Sequence, residues 1–137
     1  MTEPERNIKI GKYLKLFHLQ EKSTQYFEGY SRGDRQKFAI LAALLHEPKL
    51  LLIDEPIVGL DPSSIEIAKK LFQDFAKQGG TILIVTHTLP VAQEISHRIG
   101  LLQKGKLVAE GTFTELKTQA KQKRNARLED VYKTLTQ

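Results

Sequence analysis

Residues Leu50-Leu-Leu-Ile-Asp54-Glu55-Pro56 run four apolar side chains straight into two adjacent carboxylates. The run reads as a strand buried on both faces, as in a parallel sheet. Its end lifts two negative charges to the rim of the sheet. Uncompensated charge there is costly, so it usually meets a cation or a reacting group. The simplest chemistry is Mg²⁺ on Asp54, with Glu55 as general base on a water attacking a phosphate. The plainer reading is a strand followed by an acidic turn, which is common in α/β proteins.

Three further elements stand around this run in a fixed order. Upstream, Gly29-Tyr30-Ser31-Arg32-Gly33-Asp34-Arg35-Gln36-Lys37 leads into a helical stretch. Downstream come Gly59-Leu60-Asp61-Pro62 and then Thr81-Ile-Leu-Ile-Val85, which ends in Thr86-His87. This order resembles the second half of the nucleotide-binding domain of ABC transporters. Tyr30 to Asp34 resembles the signature loop, Leu50 to Glu55 the Walker B strand, Gly59 to Asp61 the D-loop, and His87 the switch histidine. The resemblance covers nearly the whole chain.

The resemblance implies an α/β fold. It would be an incomplete P-loop NTPase domain, with a mainly parallel sheet flanked by helices, a β-hairpin and two C-terminal helices. It also implies the cofactors ATP and Mg²⁺ and head-to-tail pairing with a second ATPase subunit. Ser31 and Gly33 would then touch, in trans, the γ-phosphate held by the partner, because a helix N-terminus favours phosphate and glycine lets backbone approach closely. Asp54 would hold Mg²⁺, Glu55 would accept the water's proton, and His87 would hydrogen-bond the γ-phosphate. Asp61 would join the dimer interface, a role compatible with capping a helix. Two positions depart from the family pattern. Arg32 replaces the first signature glycine, and Asp34 stands where glutamine is common. Asp34 would either stand unfavourably near the γ-phosphate or turn away and pair with Arg32 or Arg35.

Two family elements are absent, the phosphate loop and the glutamine loop that follows it in the family. The phosphate-cradling pattern G-x-x-x-x-G-K-[ST] occurs nowhere in the chain. The nearest match, Gly100-Leu-Leu-Gln-Lys-Gly105-Lys106-Leu107, has leucine where the Mg²⁺-binding hydroxyl belongs. Its Lys104-Gly105-Lys106 centre reads instead as the turn of a hairpin between Ile99–Leu102 and Leu107–Ala109. The resemblance also places the missing phosphate-loop strand between Thr81–Val85 and Ile99–Leu102. The expectation is therefore a chain inactive on its own, with apolar strand edges open to association.

Composition narrows the alternatives. There is no run of eighteen apolar residues, the N-terminus lacks a secretory hydrophobic stretch, and cysteine is absent. These features agree with a cytoplasmic chain, and the resemblance places it peripherally at the inner face of the cell membrane. A net charge of +5 raises nucleic acid as a partner. Lys117, Lys121, Lys123, Arg124 and Arg127 cluster without interleaved aromatics, however, so a solvated helix face is favoured over base stacking.

The positioning elements follow from periodicity. A helix is predicted over about Glu5–Leu19. A second is predicted over about Gly33–His46, capped by Ser31 and burying Phe38, Leu41, Ala42 and Leu45. Asp61-Pro62 should start a third, ended by Gly79-Gly80 and burying Ile65, Ala68, Leu71, Phe72 and Phe75. A short helix is predicted over about Pro90–His97. Thr112-x-x-Glu115 should open a basic helix as a capping box, and Leu128, Val131, Tyr132 and Leu135 mark a last amphipathic one. His18, His46 and His97 read as ordinary surface or boundary residues. The expected division is 1–30 as the end of a helical subdomain, 31–112 as the signature, Walker B and switch core, and 113–137 as C-terminal helices.

Two functions compete. One is a partial ATP-binding subunit that couples ATP binding and hydrolysis to transport by a separate membrane permease, with a separate N-terminal half supplying the Walker A loop. The ending Leu128–Thr136 resembles exporter-type subunits. The other is a non-catalytic docking or regulatory fragment that binds a permease or a complete ATPase subunit. A DNA-repair ATPase is disfavoured, since no sustained heptads appear.

Overall fold

The computed structural model describes residues 2–136. The chain divides into two compact units, Met1–Val85 and Thr86–Gln137.

In the first unit, α1 (Glu3–Leu16) carries Pro4 in its first turn and is capped by Thr2. It ends sooner than predicted. His18 takes φ 55, and the Leu19 amide folds back onto the Leu14 carbonyl at 2.8 Å. This left-handed stop drives Phe17 and Leu19 into the core. Short 3₁₀ turns at Glu21–Thr24 and Phe27–Gly29 lead to α2 (Arg32–Leu45). The buried stripe of α2 is Ile40, Leu41 and Leu44, rotated from the predicted one. Phe38 is drawn aside because its ring stacks on Tyr30, with centroids 4.6 Å apart and planes at 7°.

Strand β1 (Leu50–Asp54) pairs in parallel with β2 (Thr81–Val85), with Leu50 opposite Thr81 and Asp54 opposite Val85. Between them runs α3 (Pro62–Lys77), which begins on the Asp61 cap and packs on β2. Its buried apolar residues are Ala68 and Phe72, while Ile65, Leu71 and Phe75 are half-buried. Gly79 at φ 92 lets the chain reverse. Gly80 then lies under the Phe75 ring, where an added Cβ would come within 2.2 Å.

The Walker B-like strand is not buried on both faces, as its sequence predicts. One face of the sheet carries Leu50, Leu52, Leu83 and Val85 at 56%, 67%, 59% and 52% exposure. The α3 layer covers only the opposite face, and among the described residues of this unit nothing covers this one. A continuous apolar run records that a strand was selected to be covered twice, but not that this chain supplies both covers.

The second unit begins with α4 (Leu89–Ile95) and an antiparallel hairpin, β3 (Ile99–Gln103) and β4 (Lys106–Gly111). Lys104 and Gly105 turn it at φ 48 and φ 75, the paired positive values that two-residue hairpins favour. The near-match to a phosphate loop is therefore a hairpin. Then come α5 (Phe113–Gln119), opened by the Thr112–Glu115 capping box, and α6 (Leu128–Leu135). Ile99, Leu101, Ala109, Leu116, Leu128 and Val131 form the core of this unit. Of the basic cluster only Lys117 lies on a helix. Helix α5 stops at Gln119, Lys121 takes φ 51, and Lys121, Lys123, Arg124 and Arg127 stand exposed on the connection to α6.

Candidate functional site

The carboxyl end of a parallel strand is where α/β proteins place ligands. Asp54 is the last residue of β1 and is exposed there. Glu55 follows with φ 46, a left-handed backbone that costs a residue with a side chain about 1 kcal/mol or more. The strain is held from both sides. The Glu55 amide donates to the Val85 carbonyl on β2 at 2.9 Å, and its own carbonyl accepts from the Val58 amide at 3.3 Å. The sheet and the following turn thus aim this half-buried carboxylate.

The turn that follows is fastened to α2. Gly33 lies so close to Gly59 that an added Cβ would sit 2.7 Å from its carbonyl oxygen. Gln36 Nε2 donates to the Pro56 carbonyl at 2.9 Å. Lys37 Nζ reaches Asp61 Oδ2 at 3.0 Å. Gly59 itself takes φ +83, a value that favours glycine. Asp61 also accepts from the Ser64 amide at 3.0 Å and from the hydroxyls of Ser63 and Ser64. Hydrogen bonds from Ser63, Ser64 and Lys37 hold its carboxyl far below the usual range.

At the start of α2, the Ser31 hydroxyl accepts from the Asp34 amide at 3.1 Å and donates to Asp34 Oδ2 at 2.6 Å. Of the two alternatives for Asp34, the pairing with Arg32 or Arg35 is replaced by one with Lys22, whose Nζ lies 2.5 Å from the same oxygen. Lys22 is brought there by its own 3₁₀ turn, anchored where Tyr30 Oη donates to the Lys22 carbonyl at 2.7 Å. Burial works to raise the Asp34 carboxyl. Hydrogen bonds from Lys22 and Ser31, with the Lys22 charge, outweigh it and hold the group below its ordinary value.

The structure thus gathers Gly33, Gly59 and Asp61 around one turn and sets Asp54 and Glu55 at its base. Lys22, Gln36 and Lys37 escaped the sequence reading, because each takes its partner from 12 to 24 residues away. The only available signal was the spacing of Gln36 and Lys37, one turn beyond Gly33 on the same helical face. In the second unit, His87 lies on the exposed loop after β2, and its carbonyl accepts from the Leu89 amide at 3.1 Å.

The donor set fits a Mg²⁺ held mainly by phosphate oxygens and water. Asp54 offers an exposed carboxylate, and no group of three His, Cys, Asp or Glu side chains able to hold a metal gathers among the described residues. Mg²⁺ commonly binds through one or two carboxylates plus substrate phosphates. The chain has no phosphate-cradling loop of its own.

Helices on a parallel pair with acids at its carboxyl end define an α/β architecture with a ligand-facing strand end, and comparison places it in a family. A family model described as "AAA domain, putative AbiEii toxin, Type IV TA system" matches residues 3–91. The methionine import ATP-binding protein MetN 1 of Listeria innocua is 39% identical over 122 residues, covering 88% of this chain and 36% of that protein. An uncharacterized ABC transporter ATP-binding protein, YhaQ of Bacillus subtilis, is 33% identical over 117 residues, covering 85% of this chain and 39% of that protein. A solved structure of an ATP-binding subunit of an ABC transporter superposes with a TM-score of 0.93 at 31% identity. It covers all of this chain, which spans 57% of that one. The chain belongs to the family that this AAA-domain model describes, and over most of its length it is similar to ABC transporter ATP-binding proteins. It spans little more than a third of the length of these curated relatives.

Proposed function

We propose that this chain is the signature-bearing part of an ABC transporter ATPase. It would work when a phosphate-loop half, carried by a separate N-terminal segment, is joined to it. The observation that carries this reading is Glu55. It is held at φ 46 beside Asp54, where a parallel strand ends, and strain of this kind clusters at functional sites. Asp54 would hold Mg²⁺ through water. When bound, the ion would neutralise charge on the phosphate oxygens. Glu55 would take the proton of the attacking water, and His87 would hydrogen-bond the γ-phosphate. Ser31 and Gly33 would meet the phosphate of a second subunit paired head to tail. That contact requires the Ser31 hydroxyl to turn from Asp34, to which it now donates. Asp61 would serve that dimer interface while capping α3.

Coupling to a membrane permease belongs to the same reading. The permease would be a separate protein and this chain would sit at the cytoplasmic face; among the described residues no helix is long and apolar enough to cross a membrane. The exporter-type reading of the C-terminal ending gains nothing from MetN 1, whose name says import. We assign the helical-subdomain end to 1–30, the signature and Walker B core to 31–112, and the C-terminal helices to 113–137. No nucleic-acid partner is proposed, since the exposed basic cluster lacks stacking aromatics.

The experiment mixes the chain with a polypeptide carrying the phosphate loop and measures MgATP turnover. Glu55→Gln should lower it by about 10²–10⁴-fold. A Glu55→Gln mixture as active as wild type removes Glu55 from catalysis. Tight binding to a complete subunit without any turnover favours the docking-fragment alternative.

A further inference from the structure

Gly33, Gln36 and Lys37 lie on one face of α2, spaced i, i+3 and i+4. Each meets a different residue of the 56–61 segment. Gly33 abuts the Gly59 carbonyl, Gln36 Nε2 holds the Pro56 carbonyl, and Lys37 Nζ holds Asp61. The Lys37 side chain is only 13% exposed, so its charge is largely withdrawn from water and depends on its carboxylate partner. The segment it grips starts one residue after Glu55, and the gripping helix starts one residue after Ser31.

We propose that Gln36 and Lys37 are positioning residues that lock the first two turns of α2 to the 56–61 segment. Ser31 and Glu55 then shift together rather than independently. Lys37 is the main tie, because it fixes an acid that also caps α3. Gln36 fixes the carbonyl directly after Glu55. Gly33 sets the closeness of approach, since any larger residue would hold the two backbones apart. The consequence for function rests on the roles given above to Ser31 and Glu55. A displacement at the phosphate-facing end of α2 reaches the carboxylate that activates water, and the reverse.

The test is amide hydrogen exchange on the full 137-residue chain. Val58 and Leu60 are the reporters, because their amides close the turn onto the Glu55 carbonyl at 3.3 Å and the Ile57 carbonyl at 3.2 Å. Lys37→Met should speed their exchange by about tenfold, Gln36→Ala by less, and Lys37→Arg little. The amides of Ile40, Leu41 and Leu44 within α2 should stay as protected as in wild type. Acceleration spread through α2 would mark a plain loss of helix stability and overturn the proposal. Unchanged exchange at Val58 and Leu60 would overturn it equally. Should Lys37→Met fail to fold, Gln36→Ala carries the same comparison.

Exchange needs no nucleotide, so it stands apart from the ATPase reading. In the turnover mixture, Lys37→Met should lower kcat by about tenfold with KM for ATP unchanged. A wild-type mixture without turnover counts against the ATPase reading, and the exchange result then decides the positioning role alone.

Discussion

Substituting Gly33 with alanine probes the contact on which the site is built. The added Cβ would stand 2.7 Å from the Gly59 carbonyl oxygen, whereas unstrained heavy atoms keep about 3.5 Å. The obstructing atom is backbone, so no side chain can swing aside. The α2 start and the Gly59 turn must part by roughly 0.8 Å against that ordinary spacing. Gly59, held at φ +83 with the Arg32 side chain over it, has little freedom to yield. Overpacking of this kind costs about 1–3 kcal/mol, and alanine's better helix propensity returns at most about 1 kcal/mol. A net loss of about 1–2 kcal/mol lowers the melting midpoint by about 4–8 °C for a chain of this size. Thermal and urea unfolding followed by circular dichroism measure it. A Gly33→Ala chain as stable as wild type would refute the close approach, and with it the claim that α2 and the 56–61 segment form one block.

Gly11 provides the opposite expectation. It lies within α1 with nothing within 4 Å of an added Cβ, so Gly11→Ala should stabilise by about 0.5–1 kcal/mol in the same melts. Lys22→Met should cost about 1–3 kcal/mol, because buried Asp34 loses its cation, and urea midpoints at neutral pH would show it. The Asp34 carboxyl is lowered in the folded chain. Its contribution is therefore fully present above the unfolded value of about 3.9 and is lost as pH falls below that value through the lower folded one. Urea midpoints below about pH 4 should consequently fall less steeply in Asp34→Asn than in wild type. Leu52→Lys with Leu83→Lys, on the exposed sheet face, should reduce concentration-dependent self-association while moving the melting midpoint little. Sedimentation velocity reads the first effect, and an association state unchanged by the pair would count against it.

Much of this was legible in the residues. Ser31 and Asp61 cap their helices as their positions before Arg32 and Pro62 predicted, because capping is local chemistry between residues three apart. Strand Thr81–Val85 and the Lys104-Gly105 turn were legible for the same reason. What escaped depends on partners distant in sequence. The apolar run of β1 could not say which cover is present, so its open face was unexpected. Asp34 found Lys22 rather than its neighbours because Tyr30 stacks on Phe38 and anchors the preceding turn. The predicted stripe on α2 was rotated by the same stack. The glycine of the signature sequence was read as making room for a phosphate, whereas in this structure it first makes room for Gly59.

MgATP turnover by the purified 137-residue chain, as wild type and as Glu55→Gln, is measured first alone and then with a phosphate-loop half added. No Glu55-dependent turnover is expected from the chain alone, and it should appear on addition of that half. Turnover by the lone chain that disappears in Glu55→Gln would contradict that expectation.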